Sequence, residues 1–268
     1  MKKFAILNHY IQQVEFFKNS ARITMQRILV ETLLKSRYRG SYLGVVWSIA
    51  GPLFSAFIYY LLTKYALHFE DNYFFLMLLS GILPWSFFNG LVGQGVSSIV
   101  MNKDIYVSLG IPLVTIPLSI SIGNFIHYLI PLTLLSLLAL VLGHIHPTSL
   151  VAFFYFNFLL FIFCHEFNFF VAKIYVFFRD ITHFLPSLFQ LWFYLTPILY
   201  SSNFLTGKAK LIIILNPLGH LFIGLRNTLS GTSFSSEVIF IPLFWIFFLK
   251  LISLTIQKFI DKRLLEFL

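Results

Sequence analysis

Long apolar blocks separated by short polar segments set the plan of the chain. A helix needs about 20 apolar residues to cross a hydrocarbon core of roughly 30 Å. Six blocks of about that size occur, at residues 42–62, 73–100, 113–142, 150–178, 184–200 and 238–256. They are continuously apolar, whereas the strands of a membrane barrel alternate in polarity over about ten residues. The pattern therefore predicts helices, the only open-ended way to satisfy every backbone N–H and C=O inside lipid.

Residues 10–34 differ. Ile11, Val14, Phe17, Ala21, Met25, Ile28 and Leu33 recur at three- and four-residue steps, while Gln12, Glu15, Lys18, Arg22 and Gln26 fall largely between them. That spacing predicts an amphipathic helix lying in the headgroup region. Residues 211–229 form another apolar stretch, interrupted by Asn216-Pro217, Gly219, His220, Gly224 and Arg226. A charge at bilayer centre costs at least about 2.5–3.5 kcal/mol, so this segment makes a poor lipid-facing span and is expected to be re-entrant from the outer side. The expected fold is an all-α membrane protein of six transmembrane helices, with an N-terminal amphipathic interfacial helix and a re-entrant outer segment before the last span. The chain divides into an arm (1–41), a six-span domain (42–257) and a short tail (258–268).

Charge orients this plan. The net charge is +9, although only 11% of the 268 residues are charged. Lys2, Lys3, Lys18, Arg22, Arg27, Lys35, Arg37 and Arg39 crowd the arm, and Lys258, Lys262 and Arg263 the tail. Cytoplasmic segments of membrane proteins are basic, so both termini are expected in the cytoplasm. An even number of spans then follows. His68, Glu70, Asp71, His144 and His146 fall outside. Lys103 with Asp104 and Arg179 with Asp180 fall inside, and Lys208 and Lys210 run against the trend. Basic residues at span ends suit a membrane surface; no nucleic-acid partner is expected.

Five short motifs carry a family resemblance. Arg37-Tyr38-Arg39-Gly40-Ser41-Tyr42-Leu43-Gly44-Val45-Val46-Trp47, followed by Pro52, resembles the approach to the first span of type-two ABC permeases, the membrane subunits that export O-antigen, capsule or teichoic acid chains. Gly81-Ile82-Leu83-Pro84-Trp85 is similar to their second span, and Phe177-Phe178-Arg179-Asp180 to their inner loop between spans four and five. Leu191 to Tyr200, containing Thr196-Pro197, resembles their fifth span. Leu215-Asn216-Pro217-Leu218, with Arg226 beyond, resembles their outer segment before the last span. The loop from Asn102 to Pro112 departs from the family in keeping one Lys, one Tyr and the Pro.

The resemblance implies a homodimer in a bacterial cytoplasmic membrane, served by two copies of a separate ATPase and moving lipid-linked polysaccharide. Arg37, Tyr38, Arg39 and Trp47 would meet substrate at the inner interface. Lys103, Asp104, Tyr106, Phe178, Arg179 and Asp180 would couple to the ATPase. Thr196, Pro197, Tyr200, Asn216, Pro217 and Arg226 would form an outer gate. This chain would bind no cofactor, ATP and Mg belonging to the partner, and accordingly no G-x-x-x-x-G-K-[ST] phosphate loop occurs.

Physical readings stand beside these. Arg37 and Arg39 suit anchoring to lipid phosphates, and Trp47 suits packing within the span. Pro186, Pro197 and Pro217 suit helix breaks. Cys164, His165 and Glu166 point about 100° apart on a helix and make no metal site. Glu166 and Lys173, two turns apart on one face, are read with His165 as paired to other helices or lining a translocation path; His127 reads the same way. No catalytic residues are expected, since paired carboxylates, H-E-x-x-H and G-x-S-x-G are missing from the sequence. A drug exporter of the same family is the nearest alternative. A lipid-linked sugar transferase, resting on Glu70-Asp71, and an ion-driven transporter are further ones.

Overall fold

A computed structural model describes residues 23–37, 39–66, 74–144, 149–200, 210–231 and 234–267. Residues 10–22 of the expected amphipathic helix, Tyr38, His68, Glu70, Asp71, His146 and Lys208 lie outside the described residues, as do Lys2, Lys3, Lys18 and Arg22. The side chains of Lys210, Lys262 and Arg263 do too.

Helices make up the described architecture. Helix α1 covers residues 23–37. A single 3-10 turn, Gly44–Val46, leads into α2, Trp47–Ala66. Then follow α3 (Phe74–Gly95), α4 (Ser98–Met101), α5 (Lys103–Leu109), α6 (Thr115–Val141) and α7 (Ser149–Phe177). The chain continues with α8 (Ile181–Leu195), α9 (Lys210–Leu215), α10 (Pro217–Ser230) and α11 (Ser236–Phe267). Among the described residues, five helices are long and apolar enough to cross a membrane: α2 with its leading turn, α3, α6, α7 and α11.

The expected fifth span is the main difference. It is expected over 184–200, but α8 ends at Leu195. At 1.5 Å per residue its 15 residues reach only about 22 Å. Pro197 is the cause. A residue before proline is pushed to extended backbone, and Thr196 sits at φ −93°, ψ 136°. Of the other two prolines expected to break helices, Pro217 opens α10, where its missing N–H costs nothing, whereas Pro186 lies inside α8. The second span is also shorter than its expected 73–100. Helix α3 stops at Gly95, against which the Asn168 side chain of α7 packs so closely that a Cβ there would clash. The sixth runs on through the expected boundary at 257, as one helix to Phe267.

Two layers of packing hold these elements. The main core joins α3, α6, α7, α10 and α11 through Leu78, Phe88, Leu132, Phe156, Leu160, Phe222 and Leu249. A smaller cluster at one end joins Leu29 and Leu33 of α1, Tyr106 of α5, Ile116 and Ile120 of α6, Phe169 and Val176 of α7, and Ile260 of α11. In α1, Val30 is buried whereas Ile28, expected on the apolar face, is exposed. Helix α2 is nearly uncovered, whereas α3 is mostly buried. Trp47, expected to pack within the span, is therefore exposed.

A second close helix contact joins α10 to α7. A Cβ at Gly224 would come 2.5 Å from the Phe156 ring, itself buried and packed at a tilt against Phe234. Gly224→Ala is expected to destabilise the chain by about 1–3 kcal/mol, the usual cost of overpacking. Thermal unfolding in detergent should show the loss, and Phe156→Leu in the same chain should recover part of it.

Candidate functional site

Two polar settings stand out in this apolar protein. One is a cavity of about 700 Å³ between α2, α3 and α8. Ser55 and Tyr59 of α2, Trp85, Ser86, Asn89 and Gly93 of α3, and Thr182, Gln190, Phe193 and Tyr194 of α8 line it. Helix α3 is buried almost throughout, and the residues it leaves exposed are Ser86, Asn89, Gly93 and Gln94. That inverts what lipid demands of an exposed face, where polar groups find no partner. The stripe recurs at three- and four-residue steps and so lies on one side of the helix. Aromatic rings form the wall behind it. Phe193 stacks on Tyr59 at 6.0 Å and meets Trp85 edge-on at 5.4 Å.

The second setting is the junction where α8 stops. The C-terminus of α8 meets the N-terminus of α10, and Asn216 joins them. Its Oδ1 caps α10 by accepting the Leu218 N–H at 3.1 Å, and it also accepts Trp192 Nε1–H at 3.0 Å. Its Nδ2 donates to Thr196 Oγ1 at 2.9 Å and to the Leu195 carbonyl. One amide thus serves donors of the starting helix and acceptors of the ending one, the groups a helix terminus leaves orphaned. Phe163, the central residue of α7, lies beside it, as does Trp245 of α11. The junction therefore lies level with the middle of α7.

Arg226 ties the same region together one turn before the end of α10. Its guanidinium donates to the carbonyls of Tyr200, at 2.9 Å, and Ile198, and more weakly to that of Met77 at the start of α3. Thr196, Pro197, Asn216 and Pro217 are buried. The residues expected at the outer gate are thus brought together around one break in the helices.

The other expected groups are placed as follows. Arg37 ends α1 and donates to Asn124 Oδ1 of α6 at 3.0 Å, and Asn124 in turn donates to Gln94 of α3. Arg39 is exposed in the turn that follows. Lys103, Asp104, Phe178, Arg179 and Asp180 are all exposed. Tyr106 is buried instead, its hydroxyl donating to the Leu113 carbonyl at 3.0 Å, and burial pushes its phenol up. It fastens α5 to the small cluster that also holds Val176 near the end of α7.

His165, Glu166 and Lys173 do not border the large cavity. They sit on seams between helices: His165 Nδ1 lies 3.0 Å from Ser121 Oγ of α6, Glu166 pairs with Lys250 of α11 at 2.8 Å, and Lys173 reaches Ser253 of α11. His127 of α6 is half-buried, with Arg37 among its electrostatic neighbours. The sequence reading passed over Ser86, Asn89 and Gln190. Their signal was polar residues at helical spacing within apolar blocks, a pattern that does not say whether such a face meets another helix or open space.

The junction gives a direct prediction. Asn216→Leu leaves Trp192 Nε1–H, Thr196 Oγ1 and the α10 terminus without this partner, at about 1–3 kcal/mol for each buried group left unsatisfied. Asn216→Asp keeps the cap and should lose less. Thermal stability of the purified chain should rank wild type above Asp above Leu.

Comparison with known families matches residues 26–230 to the ABC-2 type transporter. The chain is 30% identical over 192 residues to the O-antigen export system permease protein RfbA of Myxococcus xanthus, covering 71% of this chain and 74% of that one. It is also 30% identical over 239 residues to the protein of that name from Klebsiella pneumoniae, covering 88% and 91%.

Proposed function

The chain belongs to the ABC-2 type transporter family, and we propose that it is the membrane subunit of an exporter carrying lipid-linked polysaccharide, such as O-antigen, across the bacterial inner membrane. The relatives named as O-antigen export permeases support the substrate class. The polar stripe of α3 supports the transport role: Ser86, Asn89 and Gly93 face a cavity, flanked by Tyr59, Phe193 and Tyr194, inside a bundle whose outer faces are apolar. Hydroxyl and amide groups bond sugar hydroxyls, and rings stack on sugar faces.

Two copies would complete the path. Helices α2 and α8 border the cavity and carry much of the exposed apolar surface, including Phe54, Phe57, Leu191 and Tyr194. A second copy laid across them would close two open grooves into one channel. Two copies of a separate ATPase would supply the energy, docking on exposed Lys103, Asp104, Phe178, Arg179 and Asp180. Tyr106 and the cluster beneath it would pass their movement to α6, α7 and α11. Both termini would be cytoplasmic, α8 and the turn to Tyr200 completing the sixth crossing. Helices α9 and α10 would enter from the outer face, with Asn216, Thr196, Pro197, Tyr200 and Arg226 setting the resting position of the outer gate. Arg37 and Arg39 would meet the phosphates of lipid and of lipid-linked substrate at the inner mouth.

Deleting the chain from its host should leave lipid-linked glycan inside the cell and none on the surface, with wild-type chain restoring it. Normal surface glycan together with altered drug sensitivity would favour the drug-exporter reading. In the restored strain, Asn89→Trp with Gln190→Trp should narrow the path and lower surface glycan by about tenfold or more, without reducing the amount of chain in the membrane.

A further inference from the structure

Lys173 is fully buried, and its place in the bundle is not explained by the cavity or the junction. It sits near the end of α7 with its ammonium 3.7 Å from the centre of the Phe169 ring. It donates to the carbonyl and the hydroxyl of Ser253, each at 2.7 Å, and to Gln257 Oε1 at 3.3 Å, all on α11. Two turns back along α7, Glu166 pairs with Lys250 of α11. Residue numbers rise together along both helices, from 166 opposite 250 to 173 opposite 253 and 257, so α7 and α11 run parallel and are joined by two rungs.

Taking an ammonium out of solvent is costly. A leucine or methionine would fill the same space without that cost, so packing alone does not call for the ion. What the ion adds is direction. Its donors are satisfied in one register of α11 on α7, and a slip of one turn, about 5.4 Å, breaks both rungs together. Fixing register is the best-attested use of a buried charge.

The two ends of this pair meet different machinery. Beside Lys173, Val176 of α7 and Ile260 of α11 pack in the cluster that holds Tyr106 of α5. At the far end, Phe156 of α7 is pressed against Gly224 of α10, and Phe234 just before α11 packs on Phe156. We infer that Lys173 is a positioning residue that locks α11 in register on α7, so that the two helices act as one strut between α5 and α10. The strut's part in transport rests on the proposed function; the register lock does not.

Spin labels on Phe177→Cys and Thr255→Cys, both exposed sites, report the register in the purified chain in lipid nanodiscs; Cys164 is buried, so labels go to the introduced thiols. The distance distribution should be narrow with Lys173 and Lys173→Arg, and broadened or split by about one turn, 5.4 Å, with Lys173→Met. Gln257→Leu removes one acceptor, keeps the ammonium and should broaden it less; it serves if the Met variant fails to accumulate. An unchanged distribution in these variants overturns the lock, whatever happens to export. With the ATPase present, Lys173→Met should keep ATP hydrolysis within about twofold while export falls about tenfold. A broadened distribution with export per ATP unchanged overturns the strut. Failure of the wild-type complex to export glycan at all would sink the proposed function and leave the spin-label result standing.

Discussion

Lipid offers no hydrogen bonds, and that constraint orders this protein. Each polar group in the bundle must find a partner within the protein or face a space that admits water. Partnered groups build the frame. Asn216 closes the gap between α8 and α10, Arg226 gathers three carbonyls around it, and Lys173 and Glu166 stitch α7 to α11. Groups facing space line the cavity proposed as the path: Ser86, Asn89 and Gly93 on α3, with Thr182 and Gln190 opposite.

The break at Asn216 shows how the frame and the path depend on one another. A continuous fifth span would satisfy its own backbone and leave nothing to move. Two helices meeting at one junction place a C-terminal, negative helix end against an N-terminal, positive one. They also leave a junction held by side chains, which can be rearranged at a cost of a few hydrogen bonds. Arg226 then couples the turn after α8 to α10 and to the start of α3, the helix that carries the polar stripe.

Much of this was legible in the sequence, for a local reason. Span length and continuity are properties of consecutive residues, and α2, α6 and α7 lie close to where the apolar blocks placed them. The amphipathic character of α1 and the broken character of 211–229 were equally local. Glu166 and Lys173 could be put on one face of α7 from their spacing. That α11 would supply their partners could not, because pairing belongs to two helices and the sequence shows only one at a time. Tyr106 illustrates the same limit: a Tyr in a polar loop suits a docking surface, and its burial follows from packing by α6 and α7 that no loop pattern encodes. The early end of α8 was signalled by Pro197, yet the apolar residues beyond it disguised the stop.

The claim on which most rests is that the exposed face of α3 lines a water-accessible path. Cysteine at Asn89, in the complex carrying out transport, should react with a charged, membrane-impermeant thiol reagent, and should react faster when nucleotide opens the path. Cysteine at Phe247, an exposed site on α11, should stay unreactive because lipid covers it. Equal silence at both positions, with and without nucleotide, would mean that α3 meets no water, and the path would have to lie elsewhere.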